Sequence, residues 1–184
     1  MDYFVDGEST PLVDAKEFTV TLLDNTVLPA EDREAKIIFQ RDVATLQGEI
    51  SSYSRILSEI SEKIKYFEVA VLRLERPIEE LSSQMKKVKD DLRDINILFY
   101  GDNVKRRLDM QQIPTPSSRV GIIANEQKYS TASPTGTHVN SLKKAKEEFV
   151  PLKSRVDMLV ENVKSIEDKM KSLGAPYTPG RYEN

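Results

Sequence analysis

Among 184 residues, three kinds of side-chain group are of types that can do chemistry. His138 is the only histidine. A catalytic triad or a metal site would need partners for it, and at the start of the last helical stretch it reads instead as a polar residue of a helix N-terminus. Adjacent acids stand at Glu79 and Glu80, Asp90 and Asp91, and Glu147 and Glu148. Glycoside hydrolysis needs two carboxyls facing each other across a sugar, one of them with its pKa raised by burial. Neighbours on one helix point about 100° apart, so these acids read as parts of solvated faces. The basic clusters KKVK at 86–89 and VKRR at 104–107 have the charge for phosphate contact. Asp90, Asp91, Asp102 and Asp109 offset them, and no interleaved aromatic residues offer a surface for stacking bases. Hydrolase, P-loop and dinucleotide fingerprints are absent. No catalytic, cofactor-binding or metal-ligating residue is assigned, and no cofactor is expected.

Bulk composition narrows the classes further. With 27 basic and 30 acidic residues the net charge is -3, so no global field recruits nucleic acid or an anionic membrane. The absence of cysteine excludes disulfides, thiolate chemistry and cysteine zinc sites. No run of about 18 apolar residues is present to span a bilayer. The opening MDYFVDGEST has neither the basic nor the apolar region of a secretory signal, so an exported protein would carry that signal upstream and this chain would be an internal piece with an added methionine. The charged share of 31% against a hydrophobic share of 39% favours elongated helices, each with a wide wet face.

The elements that would position these groups follow from periodicity. Phe18, Val20 and Leu22 alternate with Glu17, Thr19 and Thr21 in KEFTVTLL, the pattern of a half-buried strand, and YFVDGE before it suits a strand reaching a turn at Asp6 and Gly7. A first helix is expected from Pro29, with Glu31 and Asp32 in its first turn. Its apolar residues Phe39, Val43, Leu46, Ile50, Tyr53, Leu57, Ile60, Ile64, Phe67, Val71 and Leu74 alternate steps of four and three, a coiled-coil seam. Spanning residues 30–75, it would be roughly 65 to 70 Å long. Arg76 and Pro77 break it. A second seam runs from Ile78 through Leu81, Met85, Val88, Leu92 and Ile95 to Phe99, and turns back along the first because the connection is short. A third runs from Leu142 through Phe149 and Val156 to Leu173, with Pro151 inside it expected to kink the helix between Glu147 and Pro151. Pairs such as Glu59 with Lys63 and Glu167 with Lys171 fit ordinary i,i+4 helix contacts.

Between the second and third seams lies a long connection, 101–137. Stretches of that length usually hold their own elements or a function. PSSRVGIIANEQ fits a short helix capped by Ser117 or Ser118, with Val120 and Ile123 facing inward and Ile122 as a further candidate. STASPTGTH is turn and cap chemistry ahead of the last helix. The fold expected is mainly α: an antiparallel three-helix coiled-coil bundle with a long irregular connection containing a short helix, and a short N-terminal β segment. Residues 1–28 form the β segment, the end of a preceding β-domain, and residues 29–184 the helical bundle domain. A dimeric coiled coil is the alternative closure, disfavoured because closing a loop within one chain costs less than association.

The tail GAPYTPGRYEN at 174–184 stops the last helix. Gly174 suits a left-handed cap and Pro176 prevents continuation. Tyr177, Pro176, Pro179 and Arg181 are assigned as a structural latch, with Tyr177 and Pro179 packing where the first helix turns into the second, near Leu74 and Pro77. Several strings do not belong to the seams: LFYGD at 98–102, SSRVG at 117–121, STASPT at 130–135, EEFVPL at 147–152 and GAPYTPGR at 174–181. Together with PLVDAKEFTVTLLDNTVLPAEDREA at 11–35 they resemble the C-terminal helical region of bacterial BNR-repeat glycosyl hydrolase-like proteins, relatives of the sortilin (VPS10) type of propeller.

The resemblance covers nearly the whole chain. It implies a large β-propeller upstream, then a small β-domain whose last strand is FTVTLLDNT, then this helical region. It also implies an extracytoplasmic location, periplasmic or secreted, and as partners the upstream propeller and β-domain of the same protein, with self-association as a further option. The S-x-D-x-G-x-T-W repeat that names the family is absent here, as is tryptophan. The function expected is therefore a non-catalytic accessory domain that braces or pairs propeller subunits. The alternatives are a helical adaptor binding a partner helix or polymer, with Ile37, Ile38, Val69 and Ala70 as its off-seam stripe, and an enzyme with a site in the 101–137 connection.

Overall fold

The computed structural model describes residues 2–5, 8–11, 16–21, 30–74, 78–176 and 178, with side chains from residue 16 onward. The protein is mainly helical. Strands β1 (Asp2–Val5) and β2 (Glu8–Pro11) pair antiparallel, Val5 opposite Glu8. Helices α1 (Arg33–Val71), α2 (Glu79–Tyr100), α3 (Asn103–Arg107), α4 (Pro116–Tyr129) and α5 (Gly136–Ser172) follow. Among the described residues, no helix is long and apolar enough to cross a membrane.

Helix boundaries are set by caps. Asp32 accepts the Ala35 N–H at 2.9 Å, so α1 starts at Arg33 and not at Pro29, and with its end at Val71 it is about 58 Å long rather than 65 to 70 Å. Thr115, not Ser117 or Ser118, caps α4: its Oγ1 accepts the Ser118 N–H and Pro116 takes the first helical position. Thr135 caps α5. Pro151 lies within α5 without ending it, although proline has no N–H to offer the Glu147 carbonyl. At the far end Gly174, at φ 68°, closes a Schellman motif: the Ala175 N–H donates to the Met170 carbonyl and the Gly174 N–H to that of Lys171.

The seam residues form the core. All those of α2 within the helix are buried, as are those of α5 from Leu142 to Met170, and those of α1 are buried or packed against the core as half-buried side chains. Leu173 is the exception, partly exposed because it is the C-cap of α5 and not its last turn. Each fully buried aliphatic or aromatic side chain contributes roughly 1.5–3 kcal/mol of transfer free energy, so the seams dominate stability.

Directions and register come from side chains that meet. Lys146 meets Asp42 at 2.8 Å, Lys153 meets Glu49 at 2.9 Å and Lys63 meets Glu167 at 3.3 Å. All three pairs are separated by the same 104 residues. Helices α1 and α5 therefore run parallel in one continuous register. This replaces the expected contacts of Glu59 with Lys63 and of Glu167 with Lys171, because the Lys63 ammonium reaches across to Glu167 instead. Helix α2 runs against both: Lys89 pairs with Glu68 of α1, and Lys169 of α5 with Glu80 at 2.6 Å. Helix α4 also packs on α1 and α5, with its last turn near the start of α1. There Lys36 and Gln40 donate to the Ser130 and Gln127 carbonyls, which the end of α4 leaves without intrahelical partners. At about 33 Å and 21 Å, α2 and α4 laid end to end match the roughly 55 Å of α5.

One expected strand is absent among the described residues. Residues 16–21 form no strand, and Phe18 and Val20 are more than four-fifths exposed. Alternation alone cannot hold a strand that has no neighbouring ladder to pair with.

Candidate binding cleft at the junction of α2 and α4

Where α2 ends and α4 has yet to begin, the chain crosses the middle of α5 and leaves an open cleft of about 720 Å³. Three of the strings that interrupt the seams meet there. LFYGD ends α2, EEFVPL lies opposite on α5, and Arg119 of SSRVG reaches Glu148 at 3.4 Å. Beneath the cleft is an aromatic cluster. Phe99 meets Phe149 edge-on at 6.0 Å, and Phe149 meets Tyr53 at 5.7 Å, joining α1, α2 and α5 at one level.

The irregular backbone over this floor is held by specific bonds. Gly101 adopts φ 85°, a conformation that favours glycine, and a Cβ there would press on Gln112 Oε1 at 3.0 Å. Gln112 Oε1 accepts the Asp102 N–H at 2.8 Å, and Arg106 donates to the Tyr100 carbonyl at 2.7 Å. The Asp102 carboxylate accepts from Val104 and Lys105 N–H groups, capping α3. Asp109 takes φ 51°, which a short polar side chain tolerates.

The lining is apolar with charge at its edges. Ile97, Leu98, Ile113, Pro114, Pro151 and Leu152 supply the apolar surface. Ile113 is 82% exposed, and Val104, Leu108 and Met110 beside it in sequence are also exposed. Two carboxylates line the cleft, and both are engaged: Asp102 with backbone N–H groups, Glu148 with Arg119 and Lys144. Lys105 and the half-buried Arg155 line it too, and among the described residues neither forms an ion pair.

Several of the residues singled out by their chemistry have structural partners. His138 completes a capping box on α5: its Nδ1 accepts the Thr135 N–H at 3.3 Å and faces Gln127 Nε2 at 3.0 Å, and its Nε2 meets Glu126 at 2.5 Å. With two donors at Nδ1, the ring proton belongs on Nε2. Glu80 pairs with Lys169 and Asp90 with Arg93. Among the described residues, no group of three or more histidines and acids is placed to hold a metal. On the outer edge of the α1 and α5 pairing, Tyr53 donates to Asp157 at 3.4 Å. Burial and then the Asp157 carboxylate raise the Tyr53 phenol above its ordinary pKa, and the hydrogen bond to Glu49 raises that of Lys153.

Of the tail, Pro176 is half-buried, while Ala175 and Thr178 are buried. Tyr177, Pro179 and Arg181 lie outside the described residues. Of the proposed off-seam stripe, Ile37, Ile38 and Val69 are exposed, but Ala70 is buried. It falls seven residues after Lys63 on the flank of α1 that faces α5, where a methyl group is easily covered. Ile122 turns outward, contrary to expectation, and Val120 and Ile123 alone of α4's aliphatic residues are fully buried.

The sequence patterns had not marked Arg155, Gln112 or Ile113. The density of large apolar residues between 97 and 113, in a segment without periodicity, is the signal that points to them. Compared with family models, curated proteins and solved structures, the chain finds a match in none.

Proposed function

We propose that this chain is the non-catalytic C-terminal accessory domain of a large BNR-repeat propeller protein, an antiparallel three-helix coiled-coil bundle that braces or pairs propeller subunits. In this bundle α1 and α5 are two full-length members, and α2 and α4 share the third position end to end. The observation that carries the proposal is the unbroken 104-residue register between α1 and α5. It makes a stiff rod more than 50 Å long, the shape suited to holding large domains at a fixed separation. The resemblance of the seam-interrupting strings supplies the identity of what is held, and residues 1–28 would then be the end of the preceding β-domain.

Two measurements test this. The coding sequence upstream of residue 1 should contain S-x-D-x-G-x-T-W repeats, and deleting residues 29–184 from that longer protein should change its assembly mass by light scattering while the propeller stays folded. Hydrolysis of aryl glycosides by the 184-residue chain, abolished by one acidic substitution within it, would overturn the proposal. Exposure of Ile37, Ile38 and Val69 favours a second reading, a helical adaptor that binds a partner helix. It predicts that polar substitutions at these positions abolish partner capture without changing the assembly mass.

A further inference from the structure

We propose that the cleft between α2 and α4 is a docking site for a short extended peptide segment of a partner polypeptide, one that presents an apolar side chain next to a carboxylate. The proposal stands independently of the bracing role. Its first support is charge. The carboxylates of the cleft, Asp102 and Glu148, already have partners, whereas its cations Lys105 and Arg155 have none among the described residues. Arg155 is half-buried as a residue, and the planar fork of its guanidinium matches a carboxylate in two-point contact. The second support is surface. Ile113, Pro114, Pro151, Ile97 and Leu98 form an apolar wall around that charge, which is the combination of apolar lining with few polar groups found in ligand sites.

Shape selects the kind of partner. The cleft is local, because α4 begins at Pro116 and closes one side while α2 closes the other. A helix lying along a groove would need a run of several turns, so one or two side chains of an extended segment fit better. The site is also preformed. Gly101, Gln112, Arg106 and Asp102 fix the backbone around it, so little ordering entropy is lost on binding.

The test is a titration of the full 184-residue chain into a pool of fluorescein-labelled hexapeptides alternating Leu, Ile or Pro with Asp or Glu, followed by amide chemical-shift mapping. Saturable binding is expected, with shifts concentrated at Gly101, Gln112, Ile113 and Arg155. Arg155→Gln and Ile113→Ser should each weaken it by about tenfold or more, and the same pool with Asn and Gln for Asp and Glu should bind as weakly as Arg155→Gln does. Ile113 is exposed, so its variant keeps the fold, which a thermal melt checks. Decanoate is the comparison for a free amphiphile. Binding of decanoate without the peptides, binding unaffected by Arg155→Gln and Ile113→Ser, or no saturation by the pool overturns the proposal.

Discussion

Along α1 and α5, acid and base meet at one fixed offset of 104 residues from Asp42 to Glu167, and the apolar residues between them turn inward. Between Gly101 and Thr115 no spacing repeats, Val104, Leu108, Met110 and Ile113 turn outward, and the charges of the cleft are left partly unmatched. Both regions use the same residue types, and both rest on the same aromatic cluster of Tyr53, Phe99 and Phe149. The difference lies in who covers the apolar surface. A periodic seam is covered by another helix of the same chain, while the junction between the end of α2 and the start of α4 is not covered by any described residue to the same degree. Rigid repetition makes a frame; the break in it is where recognition can be placed.

The two regions can be pulled apart by substitution. Phe149→Ala removes the ring they share and should cost about 3–5 kcal/mol, measured by denaturant unfolding, with the cleft peptides losing affinity as well. Gly101→Ala acts on the junction alone. With both a left-handed φ and Gln112 Oε1 in the way, it should cost about 1–3 kcal/mol. Gly174→Ala, with a left-handed φ but nothing within 4 Å, should cost less, about 1 kcal/mol. If the two glycine variants are equally destabilised, the junction is not the tightly fitted element described here. Lys63→Ala opens one rung of the α1 and α5 register and should cost only about 0.2–1 kcal/mol, in keeping with a seam whose strength is apolar.

The smallest effect is on pH. Tyr53 and Lys153 both have folded-state values raised above their ordinary ones. Each therefore adds stability that is fully present below its unfolded value, 10.0 for the phenol and 10.5 for the ammonium, and is lost as pH rises through the higher folded value. Unfolding midpoints should fall on the alkaline side of pH 10, and less steeply in Tyr53→Phe.

What the sequence made legible follows the same division. Steps of three and four placed nearly every buried residue of α1, α2 and α5, because a helix returns to its core face about once per turn. The register was not legible. Asp42, Glu49 and Lys63 look like any solvated charges until α5 is laid beside them, and that same placement buries Ala70. The strand expected at Phe18 and Val20 failed because alternation describes one face and says nothing of a pairing partner. In the connection, Thr115 and Thr135 were hidden among other cap-forming residues, and the cleft had no period to announce it. The strings LFYGD and EEFVPL stood out as irregular, but only folding brings Gly101 and Pro151 to one site.

The parallel register of α1 and α5 within one chain is tested most directly by cross-linking, since the protein has no cysteine of its own. A short bifunctional maleimide should join Asp42→Cys to Lys146→Cys, and Lys63→Cys to Glu167→Cys, with both products running as monomers. The mismatched pair of Asp42→Cys with Glu167→Cys, about 30 Å apart along the rod, should stay unlinked. Monomeric cross-linking of the mismatched pair, or products of the matched pairs that run as dimers, would contradict the account.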